Sequence, residues 1–174
     1  MTATTLAVPA RIQRGRTKGW RLADATTNPN GAVIVSGSSR FANACTIAVM
    51  REMRDVDPHA AAAANFRMWL AGDRTNAPTD EADRRRERIL VSVPELRGKD
   101  VACTCRPDQA CHADELLRLA GMPPAEYDAW AARVRARVDR GRVSWGDAPI
   151  YSDEEKAAAT HGHAGFVMQQ LLGA

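Results

Sequence analysis

Three of the chain's four cysteines lie in the short stretch RGKDVACTCRPDQACHADELLRLAG, together with one of its four histidines. These residues are Cys103, Cys105, Cys111 and His112, and Asp114 follows two positions later. Thiolates and imidazole suit zinc and iron, so Cys103, Cys105, Cys111 and His112 form a candidate metal site for Zn or Fe. The C-x-C-x5-C-H spacing differs from the paired C-x2-C of a zinc ribbon.

A reactive thiolate is the second interpretation of this segment. Cys111 precedes a predicted helix whose unpaired N–H groups and dipole favour a thiolate, and Arg106 adds positive charge. We expect a partly exposed Cys111 thiol of lowered pKa, with His112 or Asp114 as its catalytic partner. The third interpretation is structural, with Cys103 as a small buried hydrophobe, His112 as a helix cap and Asp114 as a first-turn acid. The spacing does not decide among the three.

Two predicted strands position the segment. GAVIVSG is a short β-branched run between glycines, and KDVACTC is a second such strand. Strands interspersed with helices predict an α/β fold with a small, mostly parallel sheet flanked by helices. The cysteines would then lie at the carboxyl end of a strand, where open α/β sheets commonly bind ligands.

Capping signals predict where the helices begin and end. Asp57 and Pro58 begin a helix over 58–71 that Gly72 ends, and a second helix covers 112–120. SSRFANACTIAVMREM predicts a helix capped by Ser38, Ser39 or Asn43, and TDEADRRRERILVSV one that begins at Thr79 or Asp80 and ends at Pro94. The predicted core residues are Phe66, Trp69, Leu116, Leu117 and Leu119.

Residues 1–122 are predicted to form the α/β core, and residues 123–174 a helical C-terminal extension. The basic helix AEYDAWAARVRARVDRG is expected to pack through Trp130, Val134 and Val138. RRRER is interpreted as a solvated helix face, Cys45 as buried, and the histidines of THGHAGF as part of a flexible or packed tail.

RIQRGRTKGWR could neutralise phosphates while Trp20 stacks on a base, with glycines allowing close approach. Alternatively, it is a solvated basic arm with Trp20 in the core. The candidate ligand-binding residues are Arg14, Arg16, Lys18, Trp20, Ser39, Arg40, Asn43 and Arg106.

The segment resembles the domain of unknown function 4326 family. Residues matching that family's C-terminal signature are Leu96, Gly98, Lys99, Cys103, Cys105, Pro107, Cys111, His112 and Asp114. The resemblance covers roughly residues 9–121 and implies a small α/β protein, with no established reaction. Where members usually carry G-R-P-S-x-x-G-N-P-F, this chain has SGSSRFANACTI, which keeps Ser39 and Asn43 but has Gly37 at the place of the arginine. The difference implies altered specificity or lost activity.

Composition limits the classes of protein to which the chain can belong. At 174 residues with 45% apolar and 26% charged residues, the chain can bury a core, and its net charge of +3 does not by itself indicate nucleic-acid binding. No apolar run approaches the roughly 20 residues of a membrane span, and no secretory signal is evident. We therefore expect a cytoplasmic protein, and the abundance of Ala, Arg and Asp suggests an actinobacterial or phage source. Walker, G-x-G-x-x-G, H-E-x-x-H and G-x-S-x-G motifs are missing.

These patterns favour a protein that binds a nucleotide or other phosphorylated small molecule, and they leave open whether it is an enzyme. The Cys-His segment would form one wall of its site and the basic Trp20 segment another. The alternative is a non-catalytic, phage-type binding protein that contacts nucleic acid or a host protein through its basic surfaces.

Overall fold

The computed structural model describes residues 8–153, and these residues form a three-stranded parallel sheet with flanking helices. The strands are β1 (Arg11–Gln13), β2 (Ala32–Ile34) and β3 (Asp100–Cys103), in the spatial order β1-β3-β2. The two predicted strands are therefore neighbours in one sheet, which confirms the α/β prediction. β1 was not predicted, because its three residues lie in a stretch dominated by arginine and glycine.

Six helices are present within the described residues, and the first and shortest of them was not predicted. They are α1 (Leu22–Ala25), α2 (Ile47–Glu52), α3 (Pro58–Leu70), α4 (Asp80–Ser92), α5 (His112–Ala120) and α6 (Pro124–Ser144). A 3₁₀ turn, Val93–Leu96, joins α4 to the approach to β3. The long α6 supplies the helical C-terminal extension that the sequence predicts.

The central strand β3 is buried along its whole length. Val101 pairs with Arg11 of β1 on one side and with Val33 of β2 on the other. Asp100 begins the strand and is only 6% exposed. Its carboxylate accepts hydrogen bonds from the Ala10 N–H, at 2.9 Å, and from Thr26 Oγ1, at 2.5 Å. One buried carboxylate thus fastens the segments on either side of β1 to the central strand.

Three predicted caps are present and one is wrong. Thr79 Oγ1 accepts from the Ala82 N–H at 3.2 Å at the start of α4, which ends at Ser92, before the predicted end at Pro94. Asp57 Oδ1 accepts from the N–H groups of His59 and Ala60, both at 3.0 Å, and Gly72 follows α3 with φ of +92°. The helix expected across SSRFANACTIAVMREM forms only as α2, and Thr46 caps it instead of Ser38, Ser39 or Asn43. Asn43 cannot cap because its amide bonds the Ala62 carbonyl at 3.0 Å and its side-chain oxygen accepts from Cys45 N–H at 2.7 Å.

The predicted core is largely correct. Phe66, Trp69, Leu116 and Leu119 are buried, whereas Leu117 is half-buried. Leu116 and Leu119 are three residues apart and share a helix face, and Leu117 is turned away from that face by about 100°. Cys45, which was expected to be buried, is half-buried in the loop before α2.

Contacts divide the chain into two compact units. Among the described residues, the first contains 8–66 with Val93–Gly121, and the second contains Arg67–Ser92 with 122–153. Compact units are not the same as independently folding domains, so the division at residue 122 stays a prediction.

The second unit is held together by buried ion pairs. Asp83 is fully buried, and its carboxylate lies 2.6 Å from Arg86 Nη1 and 3.0 Å from Arg142 Nη1 of α6. Glu87 pairs with Arg135 of α6 at 2.6 Å. The expectation that RRRER is a solvated face is therefore wrong for Arg86 and Glu87. Arg86 donates to the carbonyls of Trp69, at 2.7 Å, and Asp73, at 3.0 Å, and Glu87 pairs with α6. The predicted packing of α6 through Val134 and Val138 is confirmed, with Trp130 half-buried.

Within the described residues, no helix is long and apolar enough to cross a membrane. The predicted tail histidines, His161 and His163, lie outside the described residues.

Candidate metal centre

The carboxyl end of β3 supplies the first two sulfurs. Cys103 is the last residue of the strand, and its carbonyl accepts from the Arg14 N–H at 2.7 Å. Cys105 follows the strand by two residues, and the sulfurs of Cys103 and Cys105 lie 3.7 Å apart. Both side chains are buried, at 2% and 8% exposure.

The start of α5 supplies the other two groups. Cys111 is the N-cap, and its sulfur accepts from the Ala113 N–H at 3.5 Å. His112, the first helical residue, is also buried. The cap is therefore the cysteine, whereas the structural interpretation of the sequence assigned that role to His112. A cysteine is suited to this position because its sulfur can satisfy one of the unpaired N–H groups that open every helix.

These groups converge. The Nδ1 atom of His112 lies 3.7 Å from Cys111 Sγ and 4.0 Å from Cys103 Sγ, and the three atoms are all within 4.8 Å of one another. Around a tetrahedral zinc with Zn–S of about 2.3 Å and Zn–N of about 2.1 Å, neighbouring ligand atoms would be separated by about 3.6–3.8 Å. The observed separations approach that arrangement. Cys105 adjoins Cys103 but is outside the mutually close group of three.

A backbone carbonyl determines which imidazole nitrogen faces the sulfurs. His112 Nε2 lies 2.8 Å from the Val35 carbonyl oxygen. A carbonyl can only accept, so Nε2 carries the proton and, in the neutral ring, Nδ1 presents its lone pair to the thiols. Metal-binding histidines commonly use their second nitrogen in this way. The Phe66 ring packs edge-on against the imidazole, with ring centroids 5.2 Å apart, and restricts its rotation.

The thiols polarise one another. Hydrogen bonds from Cys105 and Cys111 lower the pKa of Cys103 to about 2, outweighing burial. The same contacts, together with burial, raise the pKa of Cys105. The hydrogen bond with Cys103 raises the pKa of Cys111, but contacts with Cys105, His112 and the Ala113 N–H lower it overall. Cys103 and Cys111 are thus disposed to be thiolates, as metal ligands must be.

Two expectations about Cys111 were wrong: that its thiol is partly exposed, and that Arg106 supplies the positive charge beside it. Cys111 is 5% exposed instead of partly exposed. Arg106 is directed to Asp108, with Nε 3.2 Å from Oδ1, and does not provide the expected charge. Arg11 of β1 provides it: burial lowers the pKa of Arg11, but contacts with Cys111 and Asp114 raise it overall, so the guanidinium stays charged.

Arg11 also holds the loop between β3 and α5. Its guanidinium donates to the carbonyls of Gln109, at 2.9 Å, and Pro107, at 2.7 Å. Its Nε lies 3.3 Å from Asp114 Oδ1, so Asp114 pairs with Arg11, whereas one interpretation of the sequence made it a catalytic partner of Cys111. Reasoning from the sequence missed Arg11 as a site residue, because only the pairing of β1 with β3 brings it to this loop.

A cavity of about 260 Å³ adjoins the cluster at the carboxyl ends of β2 and β3. The four cluster residues form one wall, and Ser36, Asn43 and His59 contribute to the others. Ser36 is 7% exposed, and its Oγ has no hydrogen-bond partner among residues 8–153. His59 Nδ1 is likewise buried without a partner in the described part of the chain. Buried polar groups normally have partners, so these two atoms call for an ordered water or a ligand group in the cavity.

Neither Ser36 nor His59 was predicted as a site residue. Ser36 follows β2 by two residues, and its position after a parallel strand could have identified it. His59, in the first turn of α3, has no sequence signal of its own.

A broader depression, of about 620 Å³, lies beside the basic segment. Arg14, Arg16 and Trp20 line it, and Thr104 lines both it and the cavity. Trp20 is half-buried and packs over Gly15, where a Cβ would lie 2.5 Å from the indole ring. Lys18 is exposed and does not line either space.

The loop SGSSRFANACTI, which differs from the family pattern, supplies only some of its predicted ligand-binding residues to the cavity. Asn43 lines the cavity, but Ser39 Oγ accepts from the Phe41 N–H at 3.2 Å and is outside the lining. Arg40 is exposed and pairs with Glu95 at 3.1 Å. The structure thus brings Asn43 to the Cys-His cluster and places Ser39, Arg40 and Arg106 elsewhere.

Comparison with known proteins gives one match. A family model described as a domain of unknown function, DUF4326, matches residues 12–122, which include the cluster and the cavity lining. No curated protein and no solved structure matches the chain.

Proposed function

We propose a metal-binding function for this chain, which belongs to the domain of unknown function 4326 (DUF4326) family. Cys103, Cys111 and His112 hold the ion, Cys105 adjoins it, and the ion forms one wall of a ligand cavity. The observation that carries the proposal is the convergence of two buried sulfurs and one correctly oriented imidazole nitrogen within 4.8 Å.

Zinc is the metal that this donor set favours. Two thiolates and one imidazole are soft to borderline ligands, and zinc takes such sets in tetrahedral geometry without redox chemistry. Iron–sulfur clusters are usually held by more thiolates. Bound zinc would supply a Lewis acid at the cavity wall and would also contribute to folding.

A nucleotide or other phosphorylated small molecule is the proposed ligand. Ser36 Oγ and His59 Nδ1 offer unpartnered polar atoms in the cavity. The guanidinium of Arg14 lies close to Gly37, which lines the cavity and has no side chain. A Cβ added at Gly37 would lie 3.3 Å from Arg14 Nη1. Arg14 and Trp20 on the adjoining depression would contact phosphate and base.

Burial favours a metal ligand over a free nucleophile at Cys111. At 5% exposure its sulfur has little access to a substrate, whereas the buried imidazole beside it is arranged as a ligand. A catalytic use of Cys111, His112 and Asp114 would require Asp114 to leave Arg11, 3.3 Å away.

Metal analysis of protein purified without chelator tests the proposal. We expect close to one zinc per chain in the wild type and in Cys45→Ser, which changes a cavity cysteine outside the cluster. We expect a large loss of zinc in Cys111→Ser, whose hydroxyl can still cap α5. Reconstitution with Co²⁺ should give thiolate charge-transfer absorption in the wild type and in Cys45→Ser but not in Cys111→Ser, and chelation should lower the Tm of the wild type.

Folded wild-type protein that contains no metal, and that gives no such absorption after Co²⁺ is added, would overturn the proposal. Circular dichroism on each preparation establishes that the protein is folded. If Cys111→Ser does not fold, His112→Gln gives the same comparison without removing the cap.

A further inference from the structure

The second compact unit has a basic groove of about 440 Å³ that the metal centre does not use. Arg74, Arg137, Arg140, Ser144 and Trp145 line it, with Asp73 as its acidic residue. Three arginines against one aspartate leave the lining positively charged. Its volume falls within the range of about 300–1,000 Å³ that is common for small-molecule sites.

Arg74 is the buried cation of the groove. Its side chain is 3% exposed, and its Nε lies 3.1 Å from Asp83. Its Nη2 reaches Asp147 at 3.3 Å, but its Nη1 is buried with no hydrogen-bond partner among the described residues. A buried guanidinium nitrogen without an acceptor is costly, and an anionic ligand would supply one after a small side-chain rotation.

Arg137 and Arg140 are the exposed cations. Arg137 contacts Asp73 at 3.2 Å and the Ala71 carbonyl at 3.4 Å, which holds its guanidinium at the groove. Arg140 lies three residues later on α6, so it shares that face. Among residues 8–153, Arg140 forms no hydrogen bond or ion pair, and its side chain is exposed.

Trp145 presents an open aromatic surface beside these cations. It is 56% exposed, an unusual position for a tryptophan. The backbone N–H of Trp145 donates to the Arg142 carbonyl at 3.0 Å, and Gly146 follows with φ of +85°. The turn at the end of α6 therefore fixes the backbone of Trp145. The Arg74 guanidinium carbon lies 5.8 Å from its ring centroid and supports one side of the indole.

We propose that this groove binds a nucleotide, whose base stacks on Trp145 and whose phosphate is held by Arg137 and Arg140. An exposed indole beside arginines provides the two contacts that a nucleotide needs, because stacking is available to every base and the guanidinium fork fits phosphate. A purely anionic ligand would leave the exposed surface of the indole uncovered. The nucleotide is either free or part of a single strand, and this site is independent of the proposed metal function.

Binding of AMP and of a single-stranded oligoadenylate to the full-length, metal-loaded protein tests the proposal. We expect calorimetry to detect binding of at least one of the two probes. Trp145→Ala and Arg140→Ala should each weaken it roughly 5- to 100-fold, in line with the cost of losing one stacked base. Arg133→Ala is the matched control, since Arg133 is an exposed arginine of α6 outside the groove and should leave the affinity unchanged.

The two probes distinguish a free nucleotide from a nucleotide within a single strand. Binding of AMP indicates a free nucleotide, and binding of the oligonucleotide alone indicates a nucleic-acid strand. The proposal is wrong if neither probe binds, if Trp145→Ala binds as tightly as the wild type, or if Arg133→Ala is weakened as much as Arg140→Ala. The last two results would mean binding elsewhere or by diffuse charge. Circular dichroism confirms that each variant is folded.

Discussion

His112 illustrates how a single contact can select a chemical role. Its Nε2 is committed to the Val35 carbonyl at 2.8 Å, so only Nδ1 can face the sulfurs. Val35 follows directly from β2, and the imidazole belongs to α5, so the orientation depends on long-range packing. The sequence indicated the ligand types, but it could not indicate the nitrogen.

Cys103 and Cys105 should respond differently to the same substitution. Cys103 belongs to the group whose ligand atoms lie within 4.8 Å, and Cys105 does not. We predict that Cys103→Ser loses most of its zinc, whereas Cys105→Ser keeps close to one ion per chain with weaker affinity. Metal analysis after gel filtration makes the comparison, and equal loss in both variants would instead indicate a four-ligand, closed site.

Asp100 is predicted to make the protein acid-sensitive. Burial raises the pKa of Asp100, but hydrogen bonds from Thr26, the Ala10 N–H and Asn28 outweigh it and lower the pKa overall. A lowered folded-state pKa means that the stabilisation is present above the unfolded pKa, near 4, and is lost as the pH falls through the folded value.

The measurement is urea unfolding of wild type and Asp100→Asn at neutral pH and below pH 4. We expect the variant to be less stable by about 1.5–3 kcal/mol at neutral pH, the usual worth of hydrogen bonds to a charged group. The difference should shrink in acid, because the wild type loses the charge there. A difference that stays constant with pH would contradict this role for Asp100.

Among the elements, those with local signals were predictable and those made by distant pairing were not. α3 follows from Asp57, Pro58 and the alanine run, all of which act within the helix. β1 depends on its pairing with β3, about 90 residues away in the chain. Arg11 reaches the metal centre only because β1 pairs with β3, so its position could not be predicted from the sequence either.

The cap of α3 should contribute measurably to stability. Asp57 accepts two backbone N–H groups at 3.0 Å, whereas Asp55, two residues earlier, is exposed and outside the cap. We predict that Asp57→Ala lowers the free energy of unfolding by about 0.5–2 kcal/mol and that Asp55→Ala changes it little. Chemical denaturation of the metal-loaded forms tests this. Equal effects from the two substitutions would show that charge, not capping, is responsible.

For the whole molecule, the buried charges of the second unit determine which pieces can fold alone. Asp83 and Glu87 of α4 are buried, and their partners Arg142 and Arg135 lie on α6. The sequence interpretation of RRRER as a solvated face failed here, because a single helix does not show which partner will cover it. The two helices are about 50 residues apart in the chain but depend on each other.

The fragment 1–122 therefore provides a decisive experiment on domain organisation. It matches the region predicted as an independent α/β core, but it lacks α6 and so leaves Glu87 without Arg135. Removing one member of a buried ion pair typically costs about 3–5 kcal/mol. We predict that α4 in the fragment exchanges its amide hydrogens rapidly, whereas α4 in the full chain is protected. Arg135→Ala in the full chain is the matched control for loss of this one pair, and it should expose α4 to a smaller extent. Protection of α4 in the fragment equal to that in the full chain would establish 1–122 as a domain and would reduce α6 to an appended helix.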